Sequence, residues 1–300
     1  MRLFAGAAIA AVALFCGRAG AFCRTTTCDQ LGASAECVAS RVGDCSTKGT
    51  PIYWPSTCVS TSVSAQGSIS SHITADAMRN IVQNAFQQWT NADCGNGEKP
   101  NFVVDIFPDV NCTDLDATTG DAGYKPTGPN YNLWVFRDSD WPFNNVSDEG
   151  AIAITTTQYD TNSGEIFDAD VELNSFGRTF TTDPDIVDMD LPSVVQHESG
   201  HFLGLGHAQE PANVMWLSLD TGATRRVLQP DDIQGICATY PPGKLNPECD
   251  PEPRHGFSTE CEFDKGCCTI APGQSANHRR PWGAVAVSLF LLISLRMRRA

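Results

Sequence analysis

Between Thr74 and Trp89 the apolar residues Met78, Ile81, Val82, Ala85, Phe86 and Trp89 recur at steps of three and four, the spacing of one face of an α-helix. Thr74 is placed to cap the first turn, and Asp76 stands at the positive end of the helix dipole. Farther on the pattern changes. Apolar or alternating runs at 102–107, 132–137, 151–157 and 165–174, parted by Gly, Pro, Asn and Asp clusters, predict the strands of a twisted sheet. A second helix is expected behind Asp190 as its cap, with Pro192 tolerated in the first turn. A third opens at Pro230-Asp231-Asp232, buries Ile233, Ile236 and Tyr240, and stops at Pro241-Pro242-Gly243. A helix, several strands and two more helices describe an α+β domain over residues 61–243.

On either side of that domain the periodicity fails. Residues 22–60, rich in Cys, Ser, Thr and Gly, read either as a disulfide-pinned N-terminal extension or as a propeptide. Residues 244–280 are Pro, Gly, Cys and charge, which suits a stalk. Residues 1–21 start with Met1-Arg2, run apolar from Ala5 to Phe15 and reach Ala19-Gly20-Ala21, the pattern of a secretory signal. Residues 281–300 join an apolar run, Trp282 to Leu295, to Arg296, Arg298 and Arg299. That run is shorter than the roughly twenty residues of a stable spanning helix, yet no polar face interrupts it as a surface helix would require.

The chemistry gathers in one stretch, His197 to His207, which reads H-E-x-x-H-x-x-G-x-x-H without interruption. On a helix His197 and His201 project from one face, where two imidazole nitrogens can reach one metal ion. Had that helix continued, His207 would lie about 15 Å along its axis from His197, so the chain has to turn back to bring a third nitrogen in. Gly204 is the residue that permits this turn, because a left-handed conformation costs it little. Three nitrogen ligands leave one tetrahedral position for water, the mark of a catalytic zinc, and Glu198 is placed as general base. In average composition the full motif arises by chance in roughly one chain in 10⁵ of this length, which favours function over coincidence.

These residues resemble the metzincin metallopeptidases, whose motif is followed by a methionine turn; Met215, in Asn213-Val214-Met215-Trp216, stands in its place. Within that group the chain is most similar to the matrixins, over roughly residues 60 to 242. The resemblance implies a zincin catalytic domain: a twisted, mainly parallel sheet with two main helices and a C-terminal helix, flanked here by Cys-rich extensions. It implies one catalytic zinc on His197, His201 and His207, with Met215 as an apolar floor. It also implies an exposed edge strand that takes extended substrate by backbone pairing, at Ala151, Ile152, Ala153 and Ile154. Asp160, Asn162, Asp168, Asp170 and Glu172 gather oxygen donors of the kind calcium takes, as in matrixins that carry calcium near this strand; they read equally as a polar hairpin turn and a solvated strand face. Two departures stand out: Ala208 follows the third histidine where matrixins usually carry Ser, and Trp216 follows the methionine. No histidine lies between His72 and His197, so a second, structural zinc is not expected. Cys267-Cys268, the apolar run and the terminal arginines resemble C-terminal sorting tails of the MYXO-CTERM type, which implies transient contact with a membrane or with sorting machinery.

Composition narrows the picture further. A net charge of −15 speaks against a nucleic acid partner. With Cys16 inside the signal, twelve of the thirteen cysteines remain, an even number that fits disulfides in an exported chain, extracellular or at the cell surface. Cys94 and Cys112 bracket one strand and are expected to pair, leaving Cys237 to Cys58 or Cys249. The expected activity is hydrolysis of extended polypeptides. The competing reading is an inactive zinc-holding surface or adhesion module, which would have little need of Glu198.

Overall fold

The computed structural model describes residues 22–28, 45–46, 48–112, 124–125, 127–143, 150–183, 188–261 and the backbone of 285–293. The expected signal and Cys267-Cys268 lie outside the described residues. The elements are β1 (Cys58–Val63), α1 (Ala75–Thr90), β2 (Val103–Ile106), β3 (Leu133–Phe136), β4 (Ala151–Asp160), β5 (Ile166–Leu173), β6 (Phe180–Thr181), β7 (Met189–Asp190), α2 (Leu191–Phe202), α3 (Pro230–Thr239) and β8 (Val285–Ile293). Six strands form one sheet in the order β2-β1-β3-β5-β4-β8. The pairs β1–β2, β1–β3 and β3–β5 are parallel, whereas β4 runs antiparallel to both its neighbours. The fold is α+β, as the order of elements predicts, with the mostly parallel sheet that the resemblance implies.

Helices α1 and α2 start where their caps stand. Thr74 accepts from the backbone N–H of Ala77 at 3.1 Å, and Asp190 Oδ2 accepts from Ser193 N–H at 3.1 Å, bonds that stabilise a helix by about 1 kcal/mol each. The apolar stripe of α1 is buried through Met78, Val82, Ala85, Phe86 and Trp89. Phe86 stands edge-on to both Trp134 of β3 and Phe202 of α2, so the two helices and the sheet share one core. Strand β3 alternates: Trp134 and Phe136 enter this core, while Leu133 and Val135 enter a second, smaller one on the other face with Val110, Cys112 and Tyr131.

That second core explains what happens to the expected stalk. Phe257 and Cys261 pack against it, Ser60 N–H donates to Pro251 O at 3.1 Å, and Asn111 N–H donates to Thr259 O at 2.8 Å. Residues 244–261 are therefore tied along the sheet.

The cysteine pairing differs from the expected one. Cys94 joins Cys237 and Cys112 joins Cys261, while Cys58 joins Cys249. Nearness in sequence misled, because the loop after α1 lies against α3, with the Cα atoms of Cys94 and Cys237 5.5 Å apart. Loops of 143 and 149 residues also restrict the unfolded chain more than the eighteen-residue loop would, by about 4–5 kcal/mol against about 3 in the chain-entropy view.

The run from Trp282 is the other surprise. Its residues 285–293 form β8, paired with the outer edge of β4 in a register running from Ala151↔Ile293 to Asp160↔Val285. Among the described residues no helix is long and apolar enough to cross a membrane.

Candidate functional site

The motif helix is α2, and it ends where the glycine predicts. Leu203 caps it, Gly204 takes φ +86°, Gly204 N–H donates to His201 O at 2.9 Å and Leu205 N–H donates to Gly200 O at 2.9 Å. This is a Schellman ending, which satisfies the last carbonyls and reverses the chain towards His207. Gly204 is needed twice over, since a Cβ there would also meet the carbonyl oxygen of Ile52 at 2.6 Å. The carbonyls of Phe202 and Leu203 are taken by Trp54 Nε1–H at 2.8 Å and by the Tyr240 hydroxyl at 3.1 Å.

The turn brings His197, His201 and His207 together, with one ligand atom from each lying within 4.8 Å of the others. His201 Nε2 lies 3.0 Å from His197 Nε2 and 3.2 Å from His207 Nε2. His197 Nδ1 donates to Val214 O at 2.7 Å and His201 Nδ1 to Leu205 O at 2.8 Å. A carbonyl can only accept, so Nδ1 carries the proton in both rings and each Nε2 presents a bare lone pair. Two lone pairs facing each other at 3.0 Å repel, and the contact is favourable only around a cation. The spacing suits one: three nitrogens at zinc bonding distance stand about 3.3 Å apart. Burial, and then the neighbouring histidines, lower the pKa of His197 to about 3 and that of His201 well below its usual value, so both rings stay neutral.

Glu198 is fully buried beside them on α2. Burial pushes its carboxyl up to about 8, opposed by a hydrogen bond from Thr155, and a nearby cation acts in the same lowering sense as that bond. Its Oε2 accepts from the Thr155 hydroxyl at 2.5 Å, while Oε1 is buried with no hydrogen-bond partner. An orphaned carboxylate oxygen in a fully buried residue next to His197 fits a site that holds a water.

Met215 lies under the helix. A Cβ on Gly200 would strike its Sδ at 2.2 Å and Trp89 at 3.0 Å, so Gly200 lets α1, α2 and the methionine close up. Sequence reasoning passed over Gly200, although a glycine inside a helix, where it costs about 1 kcal/mol against alanine, is a signal. It also read Asp232 only as part of a helix start. The Asp232 carboxylate accepts from Val214 N–H at 2.9 Å, Met215 N–H at 3.2 Å and Gln229 N–H at 2.8 Å. It thereby fixes the turn whose Val214 carbonyl orients His197. Ala208 is buried and donates its N–H to Met215 O at 2.7 Å, so the residue after the third histidine is pinned by backbone pairing. Trp216 Nε1–H donates to Ser218 Oγ at 3.0 Å.

The N-terminal extension also reaches this centre. Gly206 N–H donates to Cys23 O at 2.9 Å, Thr25 N–H to Gly204 O at 3.1 Å, and the Thr25 hydroxyl to Leu205 O at 3.0 Å, the carbonyl that orients His201. Residues 22–28 thus form one wall of the loop that leads to His207, and a disulfide from Cys23 to Cys45 secures them. Intact mass and N-terminal sequencing of zinc-loaded protein are expected to find these residues present. A zinc-loaded chain beginning after Cys28 would show that they are a removable leader.

The remaining expected site residues are placed differently. Ala151, Ile152, Ala153 and Ile154 are on β4, but that edge is covered by β8 and so is not exposed in this structure. Among the described residues the three histidines are the one group of three or more His, Cys, Asp or Glu side chains close enough to hold an ion. Asp160 Oδ1 accepts from Asn162 N–H at 2.8 Å and Ser163 N–H at 2.9 Å as a local turn, with Asn162 exposed. The solvated strand face is likewise corrected. Asp168, Asp170 and Glu172 are buried because β5 is an interior strand; Asp170 Oδ1 accepts from Leu133 N–H at 2.6 Å and Glu172 pairs with buried Arg137.

The sequence is also similar to known proteins. Metalloendoproteinase 2-MMP of Arabidopsis thaliana is 42% identical over 52 residues, 17% of this chain and 14% of that protein. Metalloendoproteinase 1 of Glycine max is 39% identical over 74 residues, 25% of this chain and 24% of that protein. The similarity thus spans less than a quarter of the length of these relatives. Residues 136–241, a stretch that contains β4, β5, the three histidines, Glu198, Met215 and α3, match the family described as Matrixin.

Proposed function

We propose that this chain is an exported zinc endopeptidase that hydrolyses extended polypeptides. The observation that carries the reading is the convergence of the three histidine Nε2 atoms beside a buried carboxylate with one unpartnered oxygen. His197, His201 and His207 would hold the ion. When bound, zinc supplies Lewis acidity towards a carbonyl and acidifies water. Glu198 Oε1 takes the proton from the attacking water and returns it to the leaving amine. The four disulfides between described cysteines support an oxidising compartment outside the cytosol.

Substrate lies along β4 as an added antiparallel strand. In the full chain β8 pairs with that same edge, so substrate and the C-terminal segment compete for one set of backbone groups. Loss of residues 281–300 on export frees the edge.

Zinc-loaded protein is expected to degrade unfolded casein, to stop when the metal is chelated, and to work several-fold faster when the chain ends at Arg280. If both the full and the shortened chains hold one zinc and leave casein intact, the endopeptidase reading fails. Equal rates in the two would instead remove β8 from the substrate edge.

A further inference from the structure

Strand β4 carries three successive threonines, Thr155, Thr156 and Thr157, all buried. The hydroxyls of Thr156 and Thr157 find no partner, whereas that of Thr155 meets Glu198 Oε2 at 2.5 Å across 43 residues of sequence. A hydroxyl has a single proton, and a carboxylate oxygen can accept it. The bond therefore uses one oxygen of Glu198 and leaves Oε1, buried and unpartnered, as the oxygen for proton transfer. Nothing in the motif itself supplies this division. A glutamate has three side-chain torsions, and its place on α2 fixes only where they begin. Valine would fill the same strand position with at least equal β propensity, so the hydroxyl is not required for the sheet.

The geometry points to Thr155 as a positioning residue that holds the Glu198 carboxylate in the orientation for proton transfer. This rests on the reading of Glu198 as general base. The link runs from strand to helix, so it also ties the base to the backbone proposed to receive substrate: Thr155 pairs with Val171 of β5 on one side and with Phe290 of β8 on the other. Misplacing a reacting group by about 1 Å costs on the order of a hundredfold in rate, and freeing this carboxylate allows shifts of that size.

The test compares T155V, T155S, E198Q and the T155V/E198Q double variant, each as zinc-loaded full chain, on an unstructured fluorogenic peptide. T155V is expected to lose about tenfold to a hundredfold in kcat with KM within about twofold and zinc still at one per chain. T155S, which keeps the hydroxyl, is expected to stay within about threefold of the parent. The double variant is expected to be no slower than E198Q alone, because a residue acting through Glu198 has nothing left to act on. Should T155V fail to take up zinc, T155A, which only removes atoms, replaces it with the same expected loss. Wild-type kcat in T155V, or losses that multiply in the double variant, would overturn the proposal. Wild-type kcat in E198Q would instead overturn the reading of the base.

Discussion

Glu198→Gln is expected to bind one zinc per chain and to lose about 10²- to 10⁴-fold in kcat, the span of a general acid–base contribution. The substitution keeps the shape of a residue that is fully buried, and its amide oxygen can still accept from Thr155. None of the three Nε2 atoms is touched, and the Nδ1 bonds to Val214 and Leu205 that fix two of them lie elsewhere. What goes is the proton acceptor, since an amide does not take up a proton at neutral pH. Metal analysis beside steady-state kinetics checks both halves. Zinc loss comparable to the rate loss would mean that the carboxylate is part of the metal scaffold.

How much of this site was legible in the sequence depends on how far apart its parts lie along the chain. The i, i+4 histidines and the glycine turn are local, and a helix period with one left-handed residue is enough to read them. The caps Thr74 and Asp190 were legible for the same reason. Thr155 was not, because its contact with Glu198 exists only once β4 is laid against α2. Asp232 was read as helix-start chemistry, which it does perform through Gln229 N–H, but its bonds to Val214 and Met215 depend on where α3 docks. The cysteine pairs follow the same rule at separations of 143 and 149 residues. Alternating acids on β5 resemble a wet strand face until the strand is known to be interior, where Asp170 and Glu172 find a backbone N–H and a buried arginine. An apolar run such as Val285–Ile293, broken only by Ser288, has no period by which helix and strand can be told apart.

His207→Ala is expected to weaken zinc binding by well over a hundredfold while the helix and its partner histidines stay folded. Changing a group that merely orients a ligand costs about 10- to 100-fold in metal affinity, so removing the ligand itself costs more. Of the three histidines, His207 is the one outside α2 and the one not fully buried, so truncating it opens the least space in the core. Its neighbours are held independently of it: Ala208 by Met215 O, Gly206 by Cys23 O, and the methionine turn by Asp232. The variant should therefore keep the parent's circular dichroism and lose its zinc to a competing chelator at concentrations the parent withstands. Loss of activity then follows from loss of metal, in contrast to Glu198→Gln, where metal stays and turnover goes. If His207→Ala kept zinc with the parent's affinity, the ion would have to be held by a ligand set other than the three histidines that the Gly204 turn brings together.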